Sequence, residues 1–256
     1  MLLWRKVPMI KPEVLSRDSQ VIKLATVFKA PLVVVPDISV LPLIELITSA
    51  GLSRWAKTRH PEWSLSKQVA VGVVTMLVAL GSEWAHNLAH ALAARLVGKP
   101  VDAIRVVFGM PLLVYHDLHD PEVTPKQHIL RGLGGPLFNL LMIPLARWWQ
   151  QCSPEDSLGR EAADAALATN IFLVVAGLQP IPGLDGGVIL KWALVDRGQS
   201  IPQADDNVRK ANWLSGAVMA AGSRLAFRKR KRIIGGVLGM LAGVSFLVAK
   251  GWLKEA

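Results

Sequence analysis

Residues 85–99 read AHNLAHALAARLVGK and carry two histidines four positions apart. At about 100° per residue on an α-helix, His86 and His90 lie on one face. Glu83 and Asn87 lie on that face as well. Two imidazoles at this spacing can approach one metal ion from successive turns. Because the stretch is apolar, and ionisable groups in apolar segments are costly and usually functional, it predicts a membrane-embedded helix with a candidate metal site.

Long apolar runs continue on both sides of this stretch. The chain has 256 residues, of which 52% are hydrophobic, and its mean hydropathy is +0.37. About 20 apolar residues are needed to cross a bilayer. Four segments approach or exceed that length: 69–96, 128–149, 162–178 and 233–252. We expect an all-α polytopic membrane protein with about five to six transmembrane helices.

One segment does not fit a helical pattern. Residues 101–118 are rich in β-branched side chains around Gly109 and Pro111. Such runs around turn residues are typical of strands. We therefore expect a small β-hairpin directly after the histidine-bearing helix.

Composition divides the chain into three predicted parts. Prolines and acidic residues interrupt the apolar run that follows a polar leader, which indicates a broken or peripheral membrane segment. The parts are 1–66, the leader and this broken or peripheral segment; 67–197, a membrane-embedded core; and 198–256, an amphipathic segment and a final transmembrane helix.

Charge and cysteine content limit the function classes. The net charge of +10 comes without any nucleic-acid reader motif, so we expect no nucleic-acid partner and assign the basic residues to loop ends near the bilayer. A single cysteine, Cys152, excludes an internal disulfide and a thiolate cluster. Any metal would be held by histidine, aspartate or glutamate.

The distribution of basic residues suggests an orientation. Cytoplasmic loops of membrane proteins are enriched in lysine and arginine. We expect a multi-pass protein of the cell membrane with its site facing the cytoplasm. The basic residues that flank the site end of the helices are Arg95, Lys99, Arg105, Lys126 and Arg131.

The position after the first histidine carries Asn87. In zinc helices with the pattern HExxH, a glutamate at this position is the general base, and an amide cannot replace it. Glu83 is the nearest carboxylate on the same face. It is open to four roles: an additional ligand, a partner that orients His86, a displaced base, or a structural residue paired in the core.

Three segments together resemble the site-two protease family of intramembrane zinc metalloproteases. AHNLAHALAARLVGKPV resembles the family's HExxH helix with the glutamate missing, and QHILRGLGGPLFNLLM resembles its GPxxN segment. LQPIPGLDGGVIL resembles its PxPxLDGG segment. The order and the separations agree over residues 68–195. The sequence also departs at Gly177, where relatives often carry asparagine.

The resemblance implies a set of site residues. His86, His90 and Asp185 would bind Zn²⁺ and leave a fourth position for water or substrate. Two imidazoles and one carboxylate are typical of catalytic zinc sites. Asn139 would position the substrate or the oxyanion, or it makes a helix–helix hydrogen bond. The substrate or client would be a membrane-anchored protein.

Three functional hypotheses follow. In the first, the chain hydrolyses peptide bonds of membrane-anchored substrates, with Glu83 or a water chain as the base. In the second, it is a pseudoprotease that binds zinc and scaffolds or sequesters membrane proteins, because Asn87 replaces the base. A transporter or channel with a metal site is the third, and it accounts less well for the LDGG segment. The sequence leaves the oligomeric state open.

Overall fold

A computed structural model describes residues 21–115, 117 and 119–253. Helices predominate, and a small sheet is formed near the start of the chain and after the second helix. The strands are β1 Ile22–Val27, β2 Ala30–Val34, β3 Ala103–Val107 and β4 Met110–Val114. The helices are α1 Leu43–Arg59, α2 Leu65–Leu96, α3 Pro125–Cys152, α4 Leu158–Gly177, α5 Asp185–Asp196, α6 Ile201–Arg228 and α7 Arg232–Ala249.

The chain forms two compact units. Unit 1 comprises Met1–Pro121 and Gly134–Val174, and unit 2 comprises Glu122–Leu133 and Val175–Ala256. The boundaries fall inside α3 and α4. Unit 1 therefore holds the sheet, α1, α2 and most of α3 and α4, whereas unit 2 holds α5, α6 and α7.

The sheet of unit 1 has the order β1-β2-β3-β4. The two hairpins, β1–β2 and β3–β4, are antiparallel, and β2 pairs in parallel with β3 through Leu32 opposite Ile104. Ile104 and Ala30 are fully buried against Ala91 and Ala94 of α2. Burial of these side chains fixes the sheet on the last turns of the histidine-bearing helix.

A 3₁₀ turn at Ile38–Val40 connects the sheet to α1. Hydrogen bonds from Ser39, one of them from its backbone N–H to Asp37 at 2.7 Å, lower the pKa of the Asp37 carboxyl. The Phe108 N–H donates to the Ser39 carbonyl at 2.6 Å. These bonds tie the tip of the β3–β4 hairpin to the segment that leads into α1.

The second helix begins where Ser64 caps it by accepting from the Lys67 N–H. Its 32 residues span roughly 48 Å at 1.5 Å per residue, which is longer than a bilayer's hydrocarbon core. Near its start it packs closely on α1. A Cβ at Gly72 would collide with Ser49 and Ser53 of α1, so only glycine permits this approach.

Glu161, in the first turn of α4, joins that helix to the end of α1. Arg59 donates to its carboxylate at 2.9 Å, and the His60 ring lies 3.1 Å from its other oxygen. The Glu161 side chain is only 3% exposed. Since charge-assisted bonds at buried carboxylates are stronger than exposed ion pairs, these contacts hold the α1–α2 connection against α4.

In unit 2, α6 and α7 form an antiparallel hairpin with close helix contacts. A Cβ at Gly216 would come within 2.8 Å of the Phe246 ring, and one at Gly235 within 2.9 Å of Phe227. The Ser223 hydroxyl donates to the Gly235 carbonyl at 2.7 Å. Small residues on each helix therefore receive an aromatic ring from the other.

The helices and the β3–β4 hairpin expected from the sequence are confirmed, but two expectations are wrong in part. The fold is not all-α, because β1 and β2 form a second hairpin in the region assigned to the leader and the broken membrane segment. The apolar run that forms β2 is short, and composition alone does not distinguish such a strand from part of a broken membrane segment. Residues 1–20 of the predicted leader lie outside the described residues. The predicted division at 66 and 197 stays a prediction.

The number of candidate spans is smaller than the five to six transmembrane helices expected. In the described part of the chain, three helices are long and apolar enough to cross a membrane, namely α2, α3 and α7. The segment 162–178 is helical as expected. It falls short as a candidate span because Arg160, Glu161 and Asp164 all lie in the first turns of α4.

Replacing Glu161 with glutamine should remove the charge that Arg59 and His60 contact. We expect the free energy of unfolding to fall by about 2 kcal/mol, because a buried charge-assisted pair becomes a neutral one. Thermal unfolding of the detergent-solubilised protein measures the loss. Glu155→Gln, at an exposed position in the turn between α3 and α4, is the matched control. Equal stability of the two variants would show that the buried pair contributes nothing.

Candidate metal centre

The two histidines of α2 face each other inside unit 1. His86 is 8% exposed and His90 is 5% exposed. Their Nε2 atoms lie 3.1 Å apart, and the rings meet at an interplanar angle of 82°. Two convergent imidazole nitrogens at this separation can share one cation, which agrees with the i, i+4 spacing seen in the sequence.

Asn139 of α3 holds the other nitrogen of His86. Its Oδ1 contacts His86 Nδ1, and its Nδ2 donates to Asn170 Oδ1 of α4 at 2.6 Å. Asn170 in turn donates to the Ala166 carbonyl at 2.7 Å and lies 3.4 Å from the Ser82 hydroxyl.

This chain of amides fixes the direction of each hydrogen bond. The Asn170 amino group is used by Ala166 and Ser82, so its oxygen must accept from Asn139. The Asn139 oxygen is then the atom that faces His86 and accepts the Nδ1 proton. In this tautomer Nε2 of His86 carries the lone pair, which is the form that binds metal.

Two glycines of α3 bring that helix onto the histidines. A Cβ at Gly134 would lie 2.6 Å from the Ala89 carbonyl oxygen and 2.8 Å from the His90 Cα. A Cβ at Gly135 would collide with the imidazole rings of both His86 and His90. The GGP sequence therefore permits the close contact that places Asn139 within reach of His86.

Asp185 begins α5 in unit 2. A carboxylate in the first turn of a helix is stabilised by the unpaired N–H groups there. The next two residues are glycines that lie against the preceding proline loop, residues 178–184. A Cβ at Gly186 would collide with the Leu178 carbonyl, and one at Gly187 would lie 2.7 Å from the Ile181 carbonyl carbon.

The proline loop is fastened to α6 by two hydrogen bonds. Asn212 donates to the Pro180 carbonyl, and the Ser215 hydroxyl donates to Gln179 Oε1. Gln179 also donates to the Val175 carbonyl at 2.8 Å. The LDGG sequence thus gives Asp185 a fixed position at the end of a tightly folded loop.

The departure at Gly177 lies next to this carboxylate. A Cβ at Gly177 would lie 3.0 Å from Asp185 Oδ2, which is closer than most side-chain contacts. Any larger residue at position 177 would therefore press on the aspartate.

Asn87 occupies the position where HExxH helices carry the general base, and its side chain bonds to its own helix. The Asn87 amide donates to the Glu83 backbone carbonyl at 3.0 Å, one turn earlier on α2. The Glu83 side chain is partly buried. Glu45 is buried against Gly109, and its carboxyl oxygens have no hydrogen-bond partner within residues 21–115, 117 and 119–253.

The structure thus brings three of the candidate residues together in unit 1, namely His86, His90 and Asn139, with Glu83 and Asn87 on the same helix. Asp185 belongs to unit 2.

The sequence matches no protein-family model, and no curated protein matches it. Among solved structures, the chain is similar to the site-2 protease from Methanocaldococcus jannaschii, with a TM-score of 0.50 at 14% identity. The match covers 90% of this chain and 95% of that chain. The chain has the site-2 protease fold. At this identity the likeness establishes the fold, and the roles of individual residues must be argued from their own geometry.

Within the site-2 protease fold, sequence reasoning missed two contributors. Asn170 and Ser82 complete the amide chain to His86. The sequence did hold a signal for Asn170, because it is a lone amide in the apolar run ATNIFLVV. Nothing in the sequence pairs it with Asn139.

Gly187→Ala should distort the loop that carries Asp185, since the added methyl group meets the Ile181 carbonyl. We expect a loss of about 1–3 kcal/mol in the free energy of unfolding, typical of overpacking. Gly236→Ala on α7 is the control, because a Cβ there has open space. Thermal unfolding in detergent compares the two, and wild-type stability of Gly187→Ala would contradict the close packing.

Proposed function

We propose that this chain is a membrane-embedded zinc metalloprotease-like protein in which His86, His90 and Asp185 hold Zn²⁺. The observation that carries the proposal is the pair of buried Nε2 atoms 3.1 Å apart, with the other nitrogen of His86 bonded to Asn139. The donor set fits zinc, because two neutral imidazoles and one carboxylate are the ligands of catalytic zinc sites.

Zinc held by His86, His90 and Asp185 would supply polarisation of a peptide carbonyl and activation of water. The side chains of the protein supply the orientation of the ligands. Asn139 and Asn170 keep His86 in the metal-binding tautomer and orientation. Membrane-anchored polypeptides are the proposed substrates, since the site lies on α2, a candidate membrane span.

In the favoured form of this proposal, Glu83 is the general base and accepts a proton from the attacking water during peptide hydrolysis. It lies one turn before His86 on the same face of α2. A carboxylate in this environment can act as a general base if it reaches the attacking water.

The second candidate function is a pseudoprotease that keeps zinc and binds, scaffolds or sequesters membrane proteins. The position of Asn87 favours it, because the amide bonds to its own helix and offers no base. A carboxylate-to-amide change at the general base lowers the rate of hydrolysis roughly a hundredfold to ten-thousandfold.

We place the protein in the cell membrane with the site facing the cytoplasm. Support comes from three apolar helices and from the basic residues near the site end of α2 and α3.

The amide chain gives a prediction on metal binding alone. Asn170→Leu removes the acceptor that orients Asn139, so we expect zinc affinity to fall roughly 10- to 100-fold. Competition with a chromophoric chelator on purified protein measures the dissociation constant. Asn207→Leu, which removes an amide that donates to Gln199 on unit 2, should leave the affinity unchanged. Equal affinities of the two variants would contradict the role of Asn170, and zinc-free wild type would contradict the metal site.

A cleavage assay separates the two candidate functions. A membrane-anchored test substrate is incubated with wild type, His86→Ala, Glu83→Gln and Asn87→Glu, each also assayed for zinc. Wild-type cleavage that is lost in both His86→Ala and Glu83→Gln supports hydrolysis with Glu83 as the base. Zinc without cleavage in wild type, with cleavage gained in Asn87→Glu, supports the pseudoprotease. Cleavage that survives His86→Ala would exclude zinc catalysis.

A further inference from the structure

A groove of ≈ 780 Å³ runs between α6 and α7 in unit 2. Its volume lies within the range of about 300–1,000 Å³ that holds small ligands. Its floor is formed by apolar and small residues, and two arginines of α6 line one side. The lining residues that matter here are Arg224, Phe227, Arg228, Gly239, Gly243 and Phe246.

The floor of the groove suits a flexible hydrocarbon chain. A Cβ at Gly239 would lie 3.1 Å from the Ser223 hydroxyl of α6, so the floor is open at Gly243, and the rings of Phe227 and Phe246 line the same groove. A Cβ at Gly243 would meet nothing within 4 Å, so the surface above this glycine is open. The open surface at Gly243 leaves room for an apolar chain, and the aromatic rings of the lining can contact it.

The charged side of the groove suits a phosphate. Arg224 and Arg228 are separated by one turn of α6, both are exposed, and neither pairs with a carboxylate in the described part of the chain. The residues that follow, 229–232, are Lys, Arg, Lys and Arg, and no acidic residue occurs from 207 to 254. Guanidinium groups bind phosphate oxygens through paired N–H donors, and here no internal carboxylate competes.

The position of the groove points to a lipid and not to a free phosphate. The apolar helix α7, a candidate membrane span, begins at Arg232, directly after the basic residues. Basic residues at the end of a span lie at the depth of lipid headgroups. An apolar channel that starts from that depth can hold an acyl chain, which a soluble phosphate lacks.

We infer that the α6–α7 groove binds one anionic phospholipid. Its phosphate contacts Arg224 and Arg228, and one acyl chain lies over Gly243 against Phe227 and Phe246. The net positive charge of residues 224–232 favours an anionic headgroup over a zwitterionic one. This inference does not depend on zinc or on peptide hydrolysis.

Native mass spectrometry of the full chain in a neutral detergent tests the inference. Dioleoyl phosphatidylglycerol is the probe, and dioleoyl phosphatidylcholine is the comparison, both at the same salt concentration. We expect one phosphatidylglycerol per chain, bound at least about tenfold more tightly than phosphatidylcholine, since each basic residue near a headgroup adds about 1 kcal/mol.

Three variants locate the lipid. Arg224→Gln with Arg228→Gln should weaken phosphatidylglycerol binding at least about tenfold, because the phosphate loses both direct partners. Lys229→Gln with Arg230→Gln removes the same charge outside the groove lining and should weaken it no more than about threefold through screened attraction. Gly243→Leu keeps every charge but fills the open channel, and it should also reduce binding about tenfold.

Thermal unfolding confirms that each variant is folded before its affinity is compared. Equal losses in the two charge variants would overturn the inference in favour of diffuse attraction to the basic residues. Wild-type binding by folded Gly243→Leu would show that no acyl chain occupies the groove. Equal affinity for phosphatidylcholine would contradict the anionic preference, and displacement by equimolar inorganic phosphate would show that the headgroup alone is bound.

Discussion

The chain of hydrogen bonds from His86 through Asn139 to Asn170 depends on one constraint. Polar side chains in apolar helices have little water to bond with, so they must satisfy one another. Each amide in this chain both donates and accepts. The partners lie on α2, α3 and α4, so the three helices must pack within hydrogen-bonding distance at this level.

The glycines at positions 134 and 135 make that approach possible. They let α3 contact the backbone of α2 at Ala89 and His90, where any side chain would strike the helix or the imidazoles. The same arrangement therefore packs α3 closely on α2 and satisfies the hydrogen bonds of the buried amides. If the helices moved apart, Asn139 would lose His86 and become an unsatisfied amide in an apolar region. The histidine orientation is thus fixed by the packing of unit 1.

Much of this architecture could be predicted from local sequence. The long helices follow from apolar runs with Ser64 as a cap, and the β3–β4 hairpin follows from β-branched residues around Gly109. The β2–β3 pairing could not be predicted, because Leu32 and Ile104 are distant in sequence and a short apolar run has no distinctive period. For Asn139 the sequence left substrate positioning and a helix–helix bond open. Its contacts with His86 and Asn170 join α3 to α2 and α4, so they are helix–helix hydrogen bonds.

The two departures from the family pattern have a common physical consequence. At position 87 the amide bonds back to the Glu83 carbonyl, and at position 177 glycine places no side chain against the Asp185 carboxylate. An asparagine at 177 would bring its Cβ to 3.0 Å from Asp185 Oδ2, so the present loop geometry fits glycine. The resemblance implies that residues at these two positions act on water or substrate, and the proposed ligands His86, His90 and Asp185 are all present. Asn87 therefore offers no general base, whereas His86 and His90, two of the proposed ligands, keep their convergent positions on α2.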